Sequence, residues 1–243
     1  MLKDVLICWG KEFCLYFQSR IVYLVLFVYA AMSAAFTFYA SDFYNNTTVN
    51  LYQFFRFQPG IMATIVPALT MRLWADEYRH NTLEVLLSQP VSYAAVAAGK
   101  FLAAWSVAGI MLVSSSGFWL ITGMMLPLDN GWIIANYLVA FLMTGSLCAV
   151  GAAVSAFCYN ALAAFLAALV VCMILAMADF SSWTEKLLPD NLLVMQLSKA
   201  FDFGQQYNDL ISGQVWFAAV AYFVLLIAAA LWISIVAVEY KRS

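Results

Sequence analysis

The chain holds 243 residues, 65% of them apolar or aromatic and 10% charged, against roughly a quarter charged in an ordinary soluble domain. A water-soluble globule of this size could not hide so much apolar surface, and a net charge of −2 offers nucleic acid no basic field. With no GxxxxGK[ST] loop and no polar stretch long enough for a parallel sheet, a nucleotide-hydrolysing domain is excluded as well.

At the start, Leu2, Val5, Leu6, Trp9, Phe13, Tyr16 and Phe17 recur at helical spacing, with Asp4 and Lys11 on another side. The pattern predicts a helix lying in the membrane interface and turning into the bilayer near Arg20. It lacks the small-residue pattern of a cleavable signal. About 20 apolar residues cross ~30 Å of hydrocarbon, and six stretches qualify: 21–39, 58–78, 95–125, 132–156, 162–178 and 215–238. The second is the weakest. It contains Pro67 and Arg72, and it spans only with Phe54, Phe55 and Phe57 at one interface and Trp74 at the other.

Six spans place both termini on one side. With the termini inside, eight Lys and Arg are cytoplasmic and three are outside, the positive-inside distribution. The expectation is an all-α membrane protein with six transmembrane helices, N-in and C-in, forming one domain over 1–243. Thr37, Thr64, Ser114, Ser115, Ser116 and Thr144 read as interhelical hydrogen-bonding groups, and Gly145 and Gly151 as sites of close packing. No ionisable group lies near the middle of a span; Arg72, Lys100 and Asp179 stand near span ends, where they can snorkel. An ion-driven carrier or an embedded enzyme would need such groups at mid-depth. Cys8, Cys14, Cys148, Cys158 and Cys172 have no metal-ligand spacing and read as reduced, packed thiols. His80, the only histidine, reads as a surface residue. Energy for any transport must then come from elsewhere.

The inner connection shows where a partner could act. Residues 70–100 read TMRLWADEYRHNTLEVLLSQPVSYAAVAAGK. Arg72, Asp76 and Arg79 are spaced so that helix two can extend past the membrane with paired charges. Asn81 and Glu84 make a capping box for a two-turn helix over 82–88, with Leu83, Leu86 and Leu87 on one face. Pro90 ends that helix and Ser92 caps the next. A short helix across the inner mouth, between two spans, is a lever for a soluble protein.

These residues resemble the ABC-2 type transporter permeases, and within them the small permeases of the gliding-motility and copper-enzyme-maturation type. The family pattern runs P-x-L-T-M-R, an acidic pair, G-T-x-E-x-L-L-x-x-P-V, then G-K. This chain supplies Pro67-Ala68-Leu69-Thr70-Met71-Arg72, Asp76-Glu77, Thr82-Leu83-Glu84-Val85-Leu86-Leu87, Pro90-Val91 and Gly99-Lys100, with Asn81 where the family usually has Gly. A weaker echo over 197–213 has Asp202 where the family often has His.

The resemblance implies the permease subunit of an ATP-binding cassette exporter in the bacterial inner membrane, with no enzyme activity of its own. It implies pairing with a second permease chain, as a homodimer or with a related paralogue, and with a separate ATPase subunit that binds ATP and Mg. Asn81, Thr82, Leu83, Glu84, Leu86 and Leu87 would seat the coupling helix in that ATPase, with Asp76, Glu77 and Arg79 beside it. Tyr159, in the 157–160 turn, would make a second inner contact. Residues 179–214 would re-enter the outer leaflet. The substrate site is unassigned, and no cofactor or metal is expected in this chain. A second reading makes the protein a mechanical transmission module, passing ATP-driven motion to a periplasmic-domain subunit or other outer partners without moving solute.

Overall fold

Ser19 ends the first amphipathic stretch. α1 (Leu2–Gln18) and α2 (Arg20–Ala35) meet there at 76°, because Ser19 is extended and its Oγ accepts from the Ile21 amide. The bend predicted near Arg20 therefore stands one residue earlier. The computed structural model describes residues 2–37, 51–79, 92–125, 129–177, 192–213 and 217–241, and among them all regular structure is helical.

α3 covers Tyr52–Thr70 and holds Pro59 and Pro67. A turn over 71–74 separates it from α4 (Ala75–Arg79), so helix two does not run on unbroken as its charge spacing suggested. Ser155 explains the stop. Its Oγ accepts from the Trp74 and Ala75 amides at 3.2 and 3.4 Å and donates to the Met71 carbonyl at 3.1 Å, partnering groups that a helix end leaves orphaned. α5 (Tyr93–Ser114) starts at its predicted cap, Ser92, which accepts from the Ala95 amide. α6 (Ser116–Met125) follows a break at Ser115. The remaining helices are α7 (Asn130–Phe157), α8 (Ala161–Met177), α9 (Leu192–Phe201), α10 (Phe203–Ile211) and α11 (Phe217–Tyr240).

By length and composition, α5 with α6, α7 and α11 can each cross a membrane, and the bent α1–α2 pair makes a fourth if counted as one span. α8 is apolar but shorter. α7 and α3 form the centre: α7 packs on α3, α5, α8, α10 and α11, and α3 also packs on α2, α8 and α10. The C-terminal ends of α3, α7 and α11 gather with the N-terminal ends of α5 and α8 and the flank of α1. We call this end the α1 pole. The starts of α3 and α7 lie with α6 and α10 at the opposite pole.

Burial of α3 corrects two expectations. Phe54 and Phe55 form no interfacial belt; both are buried and pack on Phe118, Trp132 and Tyr137. Trp74 is buried as well. A helix sheathed by neighbours puts its rings into the core instead of the headgroup layer. The hydroxyls meet the expectation only in part. Thr37, Thr64, Ser114, Ser115 and Thr144 each donate to a carbonyl of their own helix, an acceptor within reach whatever the neighbour. Thr64 and Ser115 reach another helix too, at Met173 Sδ (3.8 Å) and the Tyr137 hydroxyl (3.4 Å). Close packing of α7 is borne out: a methyl group at Gly145 would lie 2.7 Å from the Trp105 ring, and one at Gly151 would overlap Thr70 Oγ1. All five cysteines are free thiols, with Cys148 and Cys172 buried.

Candidate functional site

Gly99 sets the geometry of the α1 pole. A methyl there would stand 2.6 Å from Cys8 Cβ, so only a residue without Cβ lets α1 lie directly on α5. That approach brings Glu12 of α1 to Lys100 of α5, Nζ to Oε1 at 2.8 Å. α4 delivers Glu77 to the same ammonium at 3.0 Å. The Lys100 side chain is 4% exposed, and its Nζ also lies 5.5 Å from the centre of the Trp74 ring. Burying an ammonium is tolerable only when counter-charge and hydrogen bonds replace its water. Here two carboxylates from two different elements do so. Lys100 therefore turns inward, where the sequence had suggested snorkelling. Two further bonds fix α1: Trp9 Nε1 donates to Ser106 Oγ at 3.0 Å, and the Tyr16 hydroxyl donates to the Leu69 carbonyl at 2.8 Å.

A second tie forms beyond α11. Lys241 Nζ lies 4.0 Å from the centre of the Tyr78 ring and 3.9 Å from that of Tyr159; the two rings are themselves 5.5 Å apart. This is a cation held between two π faces. Desolvation holds the Lys241 ammonium below the ordinary lysine pKa, with Cys158 acting against it. The segment 71–79 is thus held at three points: by Ser155 of α7, by Lys100 of α5, and through Tyr78 by Lys241. This arrangement fixes a short piece of chain to three helices.

The expected coupling residues divide into two sets. Asp76, Glu77, Arg79 and Tyr159 all lie at this pole. Glu77 faces inward to Lys100, Asp76 lies 3.9 Å from Arg72 as an i,i+4 pair, and Arg79 is exposed. Tyr159 is exposed and meets Lys241. Asn81, Thr82, Leu83, Glu84, Leu86 and Leu87 lie outside the described residues, as does His80. The chain leaves the described region at Arg79 and rejoins it at Ser92, at the same pole.

Sequence reasoning gave no role to Glu12, Ser155 or Lys241. One signal pointed to Glu12. It falls at helical spacing from Val5, Trp9 and Tyr16 on the stripe facing the bundle, while Leu2 and Leu6, expected on that stripe, are exposed. A carboxylate on a packed face calls for a buried cation. At the other pole, Asp202 caps α10 by accepting from the Gln205 amide at 3.0 Å, the work an N-cap side chain does.

A family model described as ABC-2 family transporter protein matches residues 12–179. The match opens on Glu12 and includes 71–79, Lys100, Ser155 and Tyr159. A search of curated proteins finds no match to the chain.

Proposed function

The chain belongs to the ABC-2 family of transporter proteins, and on that premise we propose that it is the permease subunit of an ATP-binding cassette exporter in a bacterial inner membrane. Its apolar helices make it a multi-pass membrane protein, and members of this family normally work with an ATP-binding cassette ATPase. In our reading the six spans are α2, α3, α5 with α6, α7, α8 and α11, with both termini inside and α1 along the inner interface. Alternating directions of these helices support that count. α3 crosses despite its composition because neighbouring helices, not lipid, surround it. α10, packed on α3, α7, α8 and α11, supports a re-entrant outer segment.

The observation that carries this reading is the triple hold on 71–79. That segment leads into 80–91, where Asn81, Thr82, Leu83, Glu84, Leu86 and Leu87 would meet the ATPase. A push there reaches α5 and α1 through Glu77, Lys100 and Glu12, and reaches α11 through Tyr78. Two permease chains, identical or paralogous, would serve two ATPase subunits. Expression of the whole operon should yield a complex holding both proteins, and its ATPase activity should fall when Glu84 is replaced by Ala although the complex still forms. A stable monomer free of ATPase would count against the reading. Orientation has its own check, made over the background of native cysteines. A cysteine at Asn130 should react with an impermeant thiol reagent in intact cells, and one at Tyr159 only after lysis.

A further inference from the structure

Beside the Glu12–Lys100–Glu77 triad, in the elbow between α1 and α2, lies a half-open cleft of about 300 Å³, near the lower bound for small-molecule sites. One wall is apolar, formed by Leu15, Ile21, Val22, Ala68 and Leu69. The other carries Glu12, Arg72, Asp76, Glu77 and Lys100, three carboxylates against two cations. The Lys100 charge is already shared between two carboxylates. Arg72 and Asp76 stand 3.9 Å apart with side chains 50% and 37% exposed, beyond hydrogen-bond length, so each can still bond a ligand. On this wall the cleft has a guanidinium suited to phosphate and an excess of carboxylate suited to a cation.

We propose that this cleft binds the headgroup of an ethanolamine phospholipid. Arg72 takes the phosphate, Asp76 and Glu12 take the primary ammonium, and the acyl chains leave over Leu15, Ile21 and Ala68. Charge complementarity selects this class. A phosphatidylglycerol headgroup brings no cation to an acidic wall. A choline headgroup brings a cation with no N–H, and so forgoes the charge-assisted hydrogen bonds that an ammonium makes to carboxylates. Leu6, Ile7 and Leu15 are exposed on α1, so lipid also covers its outward face. The proposal rests on the placement of α1 at the membrane interface, not on coupling to an ATPase.

The test is native mass spectrometry of the purified full-length protein in detergent, with dioleoyl phosphatidylethanolamine, phosphatidylcholine and phosphatidylglycerol added at equal concentration. Ethanolamine lipid should be retained roughly tenfold better than the other two, and Arg72→Gln and Asp76→Asn should each lower its retention about tenfold, the scale of one charged hydrogen bond. Both side chains are partly exposed, so the variants keep the fold. Equal retention of the three lipids would overturn the proposal, and so would an ethanolamine preference that neither substitution weakens. Retention is read without ATPase, so selective binding by a chain that fails to couple would overturn only the transport reading.

Discussion

α3 and α11 both run between the poles of the bundle, yet α3 holds Arg56, Gln58 and two prolines while α11 is the most apolar of the long helices. The difference follows from what each faces. Along the most apolar stretch of α11 only 22% of residues are buried inside the protein, against 67% for α7. α3 is buried along most of its length and brings Gln58 and Thr70 fully inside. Lipid contact demands an apolar surface, whereas a buried helix can be apolar, like α7, or carry polar groups, like α3. A helix sheathed by other helices can keep two prolines and an amide, because neighbours rather than hydrocarbon surround its backbone. Apolar runs mark α7 and α11 alike, and only the packing tells the central helix from the outer one.

The strongest way to break this contrast is at Lys100, the charge that the interior tolerates and the shell could not. Replacing it with Met leaves Glu12 and Glu77 facing each other without a cation. Removing one partner of a buried ion pair costs about 3–5 kcal/mol, which denaturant unfolding of the purified protein should register. Adding Glu12→Gln and Glu77→Gln to Lys100→Met should recover most of the loss. A cost below about 1 kcal/mol for Lys100→Met alone would mean that the triad is solvated, as a surface pair is.

Gly151→Ala tests the packing half of the contrast. The new methyl would overlap Thr70 Oγ1, and Thr70 is a short, branched, fully buried side chain with no flexible end to yield. Overpacking of this kind costs roughly 1–3 kcal/mol. In combination with Thr70→Ala the penalty should shrink, a coupling expected of residues in contact. If the two substitutions add independently, α3 and α7 are not in the register described.

What the sequence made legible was local. The bend near Arg20, the Ser92 cap and the small-residue contacts of α7 all follow from residues close together in the chain. The four described coupling candidates do converge on one pole, because loops on one side of an up-and-down bundle must. The Glu12–Lys100 pair joins residues 88 apart, and no periodicity within either helix contains that information. Phe54, Phe55 and Trp74 were misplaced for a different reason. An aromatic ring suits both an interfacial belt and a core, and only the neighbours of α3 decide between them. Thr64 and Ser115 do reach another helix as expected, whereas Ser114 and Thr144 bond a carbonyl of their own helix, which competes with any partner across the bundle.

Ser155→Ala sharpens the account of where α3 stops. The hydroxyl serves two amides and one carbonyl of the 71–75 turn, and alanine leaves them without it in a buried setting. The expected loss is about 1–3 kcal/mol, with faster amide exchange at Trp74 and Ala75 as the specific sign. Unchanged exchange there would mean that the turn is held by Lys100 and Lys241 alone.

The smallest effect should come from the shell. Leu225 on α11 is 67% exposed, and in a bilayer that exposure is to acyl chains. Truncating an exposed leucine in water would change its solvation, but lipid tails are as apolar as the side chain they replace. Leu225→Ala should therefore stay within about 0.5 kcal/mol, like other substitutions away from packed features. The measurement is unfolding in the detergent used for Lys100→Met, so that the two ends of the scale share one reference. A loss near that of a core leucine, about 2–5 kcal/mol, would show that the face is covered by protein. Under the pairing proposed above, the covering surface would then be a second permease chain, and α11 would count among the sheathed helices beside α3.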